Sequence, residues 1–466
     1  MRATFKMLLI VLATICTIHE VSAQLILVHM NANTTFAERA NLLRRVGVRE
    51  LDYIGALKIS IVAPIAPTNT RNSYVKKILL ESALCSYVEE DTEFEAQELR
   101  DQWGLFRIGT PFVWPLVDFS KNPMLVAVLD SGVSQHPDIT LVPGGYDFID
   151  EDDTPDDENG HGTRMAGVIG GSGGMVGVAP RTAIFPVRVL NKDGRGSTSS
   201  VTRGIAYAIE HGAQIINMSL AGKGYSQAME EAVSLAIARG VIVVAAAGNA
   251  SDTLPWYPAA YQGVIAVTAT DKNDRVAGFS NTGSWISLAA PGVQIYTTGI
   301  ESEYTQSTGT SPAAAFVSGA TALLLQMTKD PYGIGDLLEN TAKDIETNGW
   351  DSSAGWGRVD IAAAAEQYLN TSLRPDRRDR TRPQVFIMKP ERNSVFAPGE
   401  KVIIETSSRD NVGIAAMELI VNNAVYAIDI EPPYIFVAEA PMRFRVRAYD
   451  ATGNNKASSL RYLRVR

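Results

Sequence analysis

Three short segments carry the residue types of nucleophilic acyl chemistry. Val126-Ala127-Val128-Leu129-Asp130-Ser131-Gly132 sets a carboxylate at the end of an apolar run. Asn159-Gly160-His161-Gly162-Thr163 places an imidazole among glycines at the start of a helical pattern, and Gly309-Thr310-Ser311-Pro312-Ala313 places a hydroxyl at the head of an Ala-rich one. Each alone has an ordinary reading: Asp at a strand end caps a turn, and Ser before Pro is a common helix N-cap. The combination is more specific. A hydroxyl attacks a carbonyl only if a base takes its proton, and that base needs a partner to fix its tautomer and stabilise its imidazolium. Of the three histidines after residue 98, His136 in a His-Pro-Asp turn and His211 at a His-Gly helix end read as structural, which leaves His161 as the base. A helix start also gives Ser311 a positive dipole end to favour a developing oxyanion.

The surrounding pattern supplies elements able to position these groups. Between residues 99 and 370, apolar runs recur at Met124–Leu129, Ala183–Leu190, Gln214–Met218, Val241–Ala246 and Val264–Thr268. Helical stretches such as Thr202–Glu210 and Gln227–Ala238 alternate with them. Near-continuous Val/Ile/Leu/Ala strands, each followed by a helix, predict an α/β fold with a parallel sheet covered on both faces. Such sheets hold their sites at the carboxyl ends of strands.

Other segments flank this region. Arg2, Lys6, the apolar run Met7–Ile15 and the small-residue end Val21-Ser22-Ala23 read as an export signal over residues 1–23. Residues 24–98 mix strands (Leu25–Met30, Leu57–Val62) with helical spacing (Thr35–Val46, Tyr74–Leu84), as a small α+β module. Charged residues 371–383 read as a linker, and 384–466 as a β-sandwich of short alternating strands. The cysteines, Cys16 and Cys85, both lie before the α/β region, so that region holds no disulfide or thiolate metal site. A net charge of −9 with no basic face argues against a nucleic-acid binder. No run after the signal reads as an integral membrane anchor; Ala313–Met327, interrupted by Ser318 and Gly319, reads as a buried helix.

The order Asp130, His161, Ser311 and their local motifs resemble the subtilisin-like serine peptidases. Ala246-Ala247-Gly248-Asn249 matches a fourth signature of that family, and the stretch from Ala245 to Asp271 is most similar to its thermitase branch. The resemblance implies a secreted endopeptidase acting on proteins or peptides, with an acyl-enzyme on Ser311 and no cofactor for the chemistry. It makes His161 the general base and acid, Asp130 its orienting partner, and Asn249 with the Ser311 backbone N–H the oxyanion hole. It implies substrate contacts at Gly194, Arg195, Gly196, Ser219, Leu220, Ala221, Ala247, Gly248 and Trp256. Trp256 would shorten the pocket for the residue preceding the cut. Residues 24–98 resemble an inhibitory pro-domain, removed by a cut between about Asp91 and Asp101, and 384–466 a bacterial immunoglobulin-like domain. A monomeric, autoprocessed precursor, exported to the medium, periplasm or cell surface, follows.

The chain departs from the family at Pro312, where Met is usual, and at Ala315, where Pro is usual. The loop Gly170 to Met175 lacks the side chains of a family calcium loop. Asp150, Asp152, Asp153, Asp156 and Asp157 offer hard oxygen ligands just before His161, read either as a calcium site or as a solvated acidic loop. Two other functions compete: a non-catalytic surface-associated binding protein on a decayed peptidase fold, and a carbohydrate- or surface-binding module with an attached enzyme. Retention of Asp130, His161, Asn249 and Ser311 argues against decay, and the second rests only on the C-terminal sandwich, whose fold does not imply a function.

Overall fold

The computed structural model describes residues 26–90, 102–374 and 379–465, except positions 32, 55–57, 65–74, 76, 120, 122, 392, 393 and 423. The export signal and the expected maturation segment lie outside the described residues. Two compact units divide the chain, one ending at Glu95 and one beginning at Ala96.

In the first unit, strands β1 (Ile26–Met30), β2 (Val48–Ile54), β3 (Ile59–Pro64) and β4 (Cys85–Glu90) form an antiparallel sheet in the order β2-β3-β1-β4. Alternation along β1 turns Ile26, Val28 and Met30 inward against Leu42, Leu43 and Val46 of helix α1 (Phe36–Val46). Thr35 caps α1 in a reciprocal pair with Glu38, so the helical pattern read from Thr35 begins one residue later. The sequence pattern missed β2 and β4. Burial pushes the Cys85 thiol up to about 11, so it is no reactive thiolate at neutral pH.

The second unit is built on seven parallel strands. They are β5 (Leu125–Asp130), β6 (Tyr146–Asp147), β7 (Ala183–Arg188), β8 (Ile215–Met218), β9 (Ile242–Ala246), β10 (Ile265–Thr270) and β11 (Leu288–Pro291). Their order is β11-β10-β9-β8-β5-β7-β6. Strand β5 is buried on both faces. Val126 and Val128 pack toward the core shared with helices α2 (His161–Gly170) and α5 (Thr310–Thr328), and Ala127 and Leu129 toward the one shared with α3 (Thr198–Glu210) and α4 (Gln227–Ala238). This two-sided burial explains the unbroken apolar runs. From β5 the chain turns first to β6 and β7, then crosses back to β8, so the strand order reverses beside β5. A crevice at the carboxyl ends results there.

Helix α5 runs through the core with Ala313 to Leu325 buried, and accordingly is apolar on all sides. No described helix is long and apolar enough to cross a membrane. Ser311 is the second residue of α5 and Pro312 the third, rather than cap and first residue. The ring still fits, because first-turn N–H groups have no partner within the helix.

Strands β12 (Ile295–Thr298) and β13 (Tyr304–Ser307) pair as a separate antiparallel ribbon. The C-terminal strands, among them the short β15 (Val395–Phe396), form two sheets. One pairs β14 (Gln384–Lys389) with β16 (Lys401–Arg409) and β19 (Ile435–Glu439). The other includes β17 (Ile414–Val421), β18 (Ala424–Asp429) and β20 (Met442–Asp450). Their facing side chains make a separate core around Ile404, Leu419, Phe436 and Phe444. The sandwich packs directly on the α/β region: Ala416 and Tyr449 join that region's core, and Ile428 N donates to Gly173 O at 2.9 Å. Arg181 pairs with Glu431 at 2.9 Å. The start of the expected linker is pinned, since Arg374 pairs with Asp360 at 2.8 Å and with Glu366 at 2.7 Å.

Candidate active site

Asp130 ends β5 with no solvent exposure, and its Oδ1 lies 2.7 Å from His161 Nδ1. The Ser131 N–H donates to the same oxygen at 2.8 Å. Burial of the imidazole opposes its protonation, but the charge and hydrogen bond of Asp130 outweigh that and hold His161 above its ordinary value. Nδ1–H is thereby committed to Asp130, leaving Nε2 as the basic nitrogen.

His161 opens α2, and its position is set by a residue that sequence reasoning assigned elsewhere. Asp157 is buried and accepts from Ser131 Oγ at 2.8 Å, Asn159 N at 3.0 Å and Gly160 N at 2.7 Å through Oδ1. Its Oδ2 takes Thr163 N at 2.8 Å and Thr163 Oγ1 at 2.6 Å. One carboxylate thus fastens the His161 turn to the end of β5. The two backbones touch: a Cβ at Gly162 would collide with the Gly132 carbonyl oxygen, so the residue after the imidazole must be glycine.

The acidic loop does not gather its carboxylates around a common point. Arg188, almost fully buried, takes Asp147 at 2.7 Å, Asp150 at 2.9 Å and Glu158 at 2.5 Å. Asp152 accepts from Thr154, and Asp157 is saturated as described. Among the described residues, Asp150, Asp152, Asp153, Asp156 and Asp157 form no three-carboxylate cluster. Of these five, Asp150 is taken up by Arg188 of β7 and Asp157 by the His161 turn.

Ser311 Oγ donates to Ser219 O at 3.1 Å, and Ser219 Oγ donates to Ser311 O at 3.0 Å. Behind them Asn217 Nδ2 donates to Ser219 Oγ at 3.0 Å and Ser318 Oγ to Asn217 Oδ1 at 2.9 Å. Ser318 lies two turns along α5 from Ser311, on the same face. In this arrangement the hydroxyl rests on the β8 side rather than on His161. Asn249 follows β9; its Oδ1 accepts from Thr310 N at 2.8 Å and Thr310 Oγ1 at 3.0 Å, which turns Nδ2 outward as a donor.

A cleft of about 540 Å³ runs past His161. Gly194, Arg195, Gly196, Ser219, Leu220 and Ala221 line it together with Tyr257, which sequence reasoning had not assigned. Neither residues 194–196 nor 219–221 belong to a strand; in the first, Gly194 N and Arg195 N donate to Asn191 and Arg195 O accepts from Asn191 N. Ala247, Gly248, Asn249, Trp256 and Ser311 lie outside its lining but are joined to it. Gly222 and Tyr257 exchange backbone hydrogen bonds at 2.8 and 2.7 Å, and Trp256 rests against Gly248. The indole is held by Asp252 Oδ2 at 3.2 Å, with Lys223 Nζ 5.3 Å from its ring centre. His136 and His211 bond to Glu303 O and Tyr207 O, away from this cleft.

Residues 121–357 match the subtilase family. The chain belongs to that family. Thermitase from Thermoactinomyces vulgaris is 41% identical over 269 residues, 56% of this chain and 94% of that protein. A thermophilic serine proteinase from Bacillus sp. (strain AK1) is 34% identical over 340 residues, 70% of this chain and 83% of the other. Subtilisin Savinase from Lederbergia lenta is 38% identical over 266 residues, 56% and 97% respectively. The chain is a subtilisin-like serine endopeptidase with the parallel-sheet fold that its motifs implied.

The Asp157 latch yields a prediction for this subtilase. Asp157→Ala strands several buried donors, each costing about 1–3 kcal/mol, and frees the His161 turn. A melting temperature lowered by several degrees and a roughly 10²-fold fall in kcat/KM are expected. Thermal denaturation and peptide hydrolysis check this, and an unchanged variant contradicts it.

Proposed function

We propose that this subtilase cleaves peptide bonds through an acyl-enzyme on Ser311. The observation that carries the reading is the 2.7 Å Asp130–His161 bond, in the same cleft that is lined by Ser219, the hydrogen-bond partner of Ser311. Rotation about the Ser311 side chain releases Oγ from the Ser219 carbonyl and turns it to His161 Nε2. Catalytic hydrogen bonds are commonly loose without substrate and tighten in the complex. As Oγ bonds to the scissile carbonyl carbon, its proton passes to Nε2, and Asp130 stabilises the imidazolium. The carbonyl oxygen becomes an oxyanion facing Asn249 Nδ2 and the Ser311 N–H at the positive end of α5. Collapse breaks the C–N bond, and the imidazolium protonates the leaving amine. A water, deprotonated by His161, then hydrolyses the ester. None of these steps requires a cofactor.

The backbones at Gly196 and 219–221, which line the cleft outside any strand, support binding of an extended peptide between them, with side-chain pockets setting preference. Trp256, fixed by Asp252 and Lys223 beside Gly248, supports a short pocket for the residue before the cut. Residues 24–98 would serve as the enzyme's own inhibitory segment, removed by self-cleavage after export.

The decisive comparison is between the unaltered chain and Ser311→Ala. The unaltered protein is expected to lose residues 24 to about 100 and digest casein, and the variant to remain a full precursor. Equal processing in both removes the proposal. For the pocket, Trp256→Ala is expected to raise kcat/KM for P1-Phe relative to P1-Ala peptides by about tenfold or more. A strong P1-Phe preference in the unaltered enzyme contradicts that assignment.

A further inference from the structure

Far from the cleft in sequence, three carboxylates converge at the edge of the sandwich. Asp379 precedes β14, Asp410 follows β16 and Asp450 ends β20. One carboxylate oxygen from each lies within 4.8 Å of the others. Asp450 has no solvent exposure. Its Oδ1 accepts from Thr452 N and Oγ1, both at 2.8 Å, and from Asn454 N at 3.0 Å. Its Oδ2 is buried and receives no hydrogen bond. Asp410 repeats the pattern: Oδ1 accepts from Val412 N at 3.0 Å, and Oδ2 is buried without a donor. Asp379 is held in place by Asn411 Nδ2 and Asn454 Nδ2, each at 3.1 Å.

Among the described residues, no Lys, Arg or His pairs with any of the three. Here two anionic oxygens are left bare inside the protein, which is costly unless a cation neutralises them.

We propose that Asp379, Asp410 and Asp450 bind a calcium ion. The donor set is hard oxygen with no nitrogen or sulfur ligand, which disfavours zinc and copper. Calcium tolerates irregular oxygen cages completed by water, whereas magnesium demands near-ideal octahedral geometry. The motifs Asp410-Asn411-Val412-Gly413 and Asp450-Ala451-Thr452-Gly453-Asn454 then have a chemical purpose that the peptidase reaction does not use. The ion would tie the segment entering the sandwich to two of its turns. It would do so beside the contact with the α/β region, where Phe106 meets Gly453 and its ring lies 6.2 Å from that of Tyr449.

The test uses the full chain carrying Ser311→Ala, so that proteolysis does not intrude. Calcium is titrated calorimetrically into protein stripped with EDTA, and melting is followed with and without the ion. The parent should bind calcium, with its melting temperature raised by at least about 3 °C at saturation. Asp450→Asn keeps the Oδ1 acceptor and removes the charge. It should lose one equivalent of calcium and most of that rise, yet melt no lower than the parent in EDTA. Asp379→Asn, at a half-buried position, should lose the same equivalent even if Asp450→Asn fails to fold. A parent that binds no calcium, or an unchanged stoichiometry and melting rise in the folded variants, overturns the site.

Discussion

The hydrogen bond between Asp130 and His161 joins the end of a buried strand to the first turn of a helix, and much of the surrounding structure serves it. A carboxylate without solvent exposure is tolerated only where its charge is engaged. The parallel sheet supplies the burial, placing Asp130 where the strand order reverses and the crevice opens. Asp157 supplies the register by holding Ser131, Gly160 and Thr163 in one arrangement. Gly132 and Gly162 allow the strand end and the helix start to touch. Without that approach the imidazole would not lie 2.7 Å from its partner.

Nucleophile and oxyanion donor are organised from the other side of the crevice. Thr310 orients the Asn249 amide, and the buried series Ser318, Asn217 and Ser219 ends on the Ser311 carbonyl. The polar residues within α5 are therefore not flaws in an apolar helix. They connect it to β8 at the level where chemistry occurs. Ala315 lets α5 continue unbroken through its first turns, and Pro312 occupies a position whose N–H has no helical partner.

Much of this was legible in the sequence. The five central strands announced themselves because both faces are buried, and α4 was bounded correctly by its amphipathic spacing. Strands β6 and β11 escaped because they are short edges, and β11 ends in Pro291, which only an edge tolerates. The order of Asp130, His161 and Ser311 was visible, but their supports were not. In the sequence Asp157 is one acid among several; only the fold separates it, bound to the His161 turn, from Asp150, bound to Arg188. The acidic loop shows the same limit: its carboxylates can be counted in the sequence, but not that Asp150 is taken by Arg188 of a distant strand. The glycine-rich loop at 170–175 offered no ligands, and in the fold its Gly173 instead receives β18 of the sandwich.

The central claim is that His161 and Asp130 activate Ser311, and serine-directed labelling addresses it without any assumption about substrate. The protein is treated with a fluorophosphonate across a pH series and the adduct located by mass spectrometry. A single adduct on Ser311 is expected. Because Asp130 raises the His161 pKa, labelling should lose its rate on acidification from a pH above the ordinary imidazole value of about 6.5, and His161→Ala should abolish it. An adduct elsewhere, or undiminished labelling of Ser311 in the His161→Ala variant, would contradict the account.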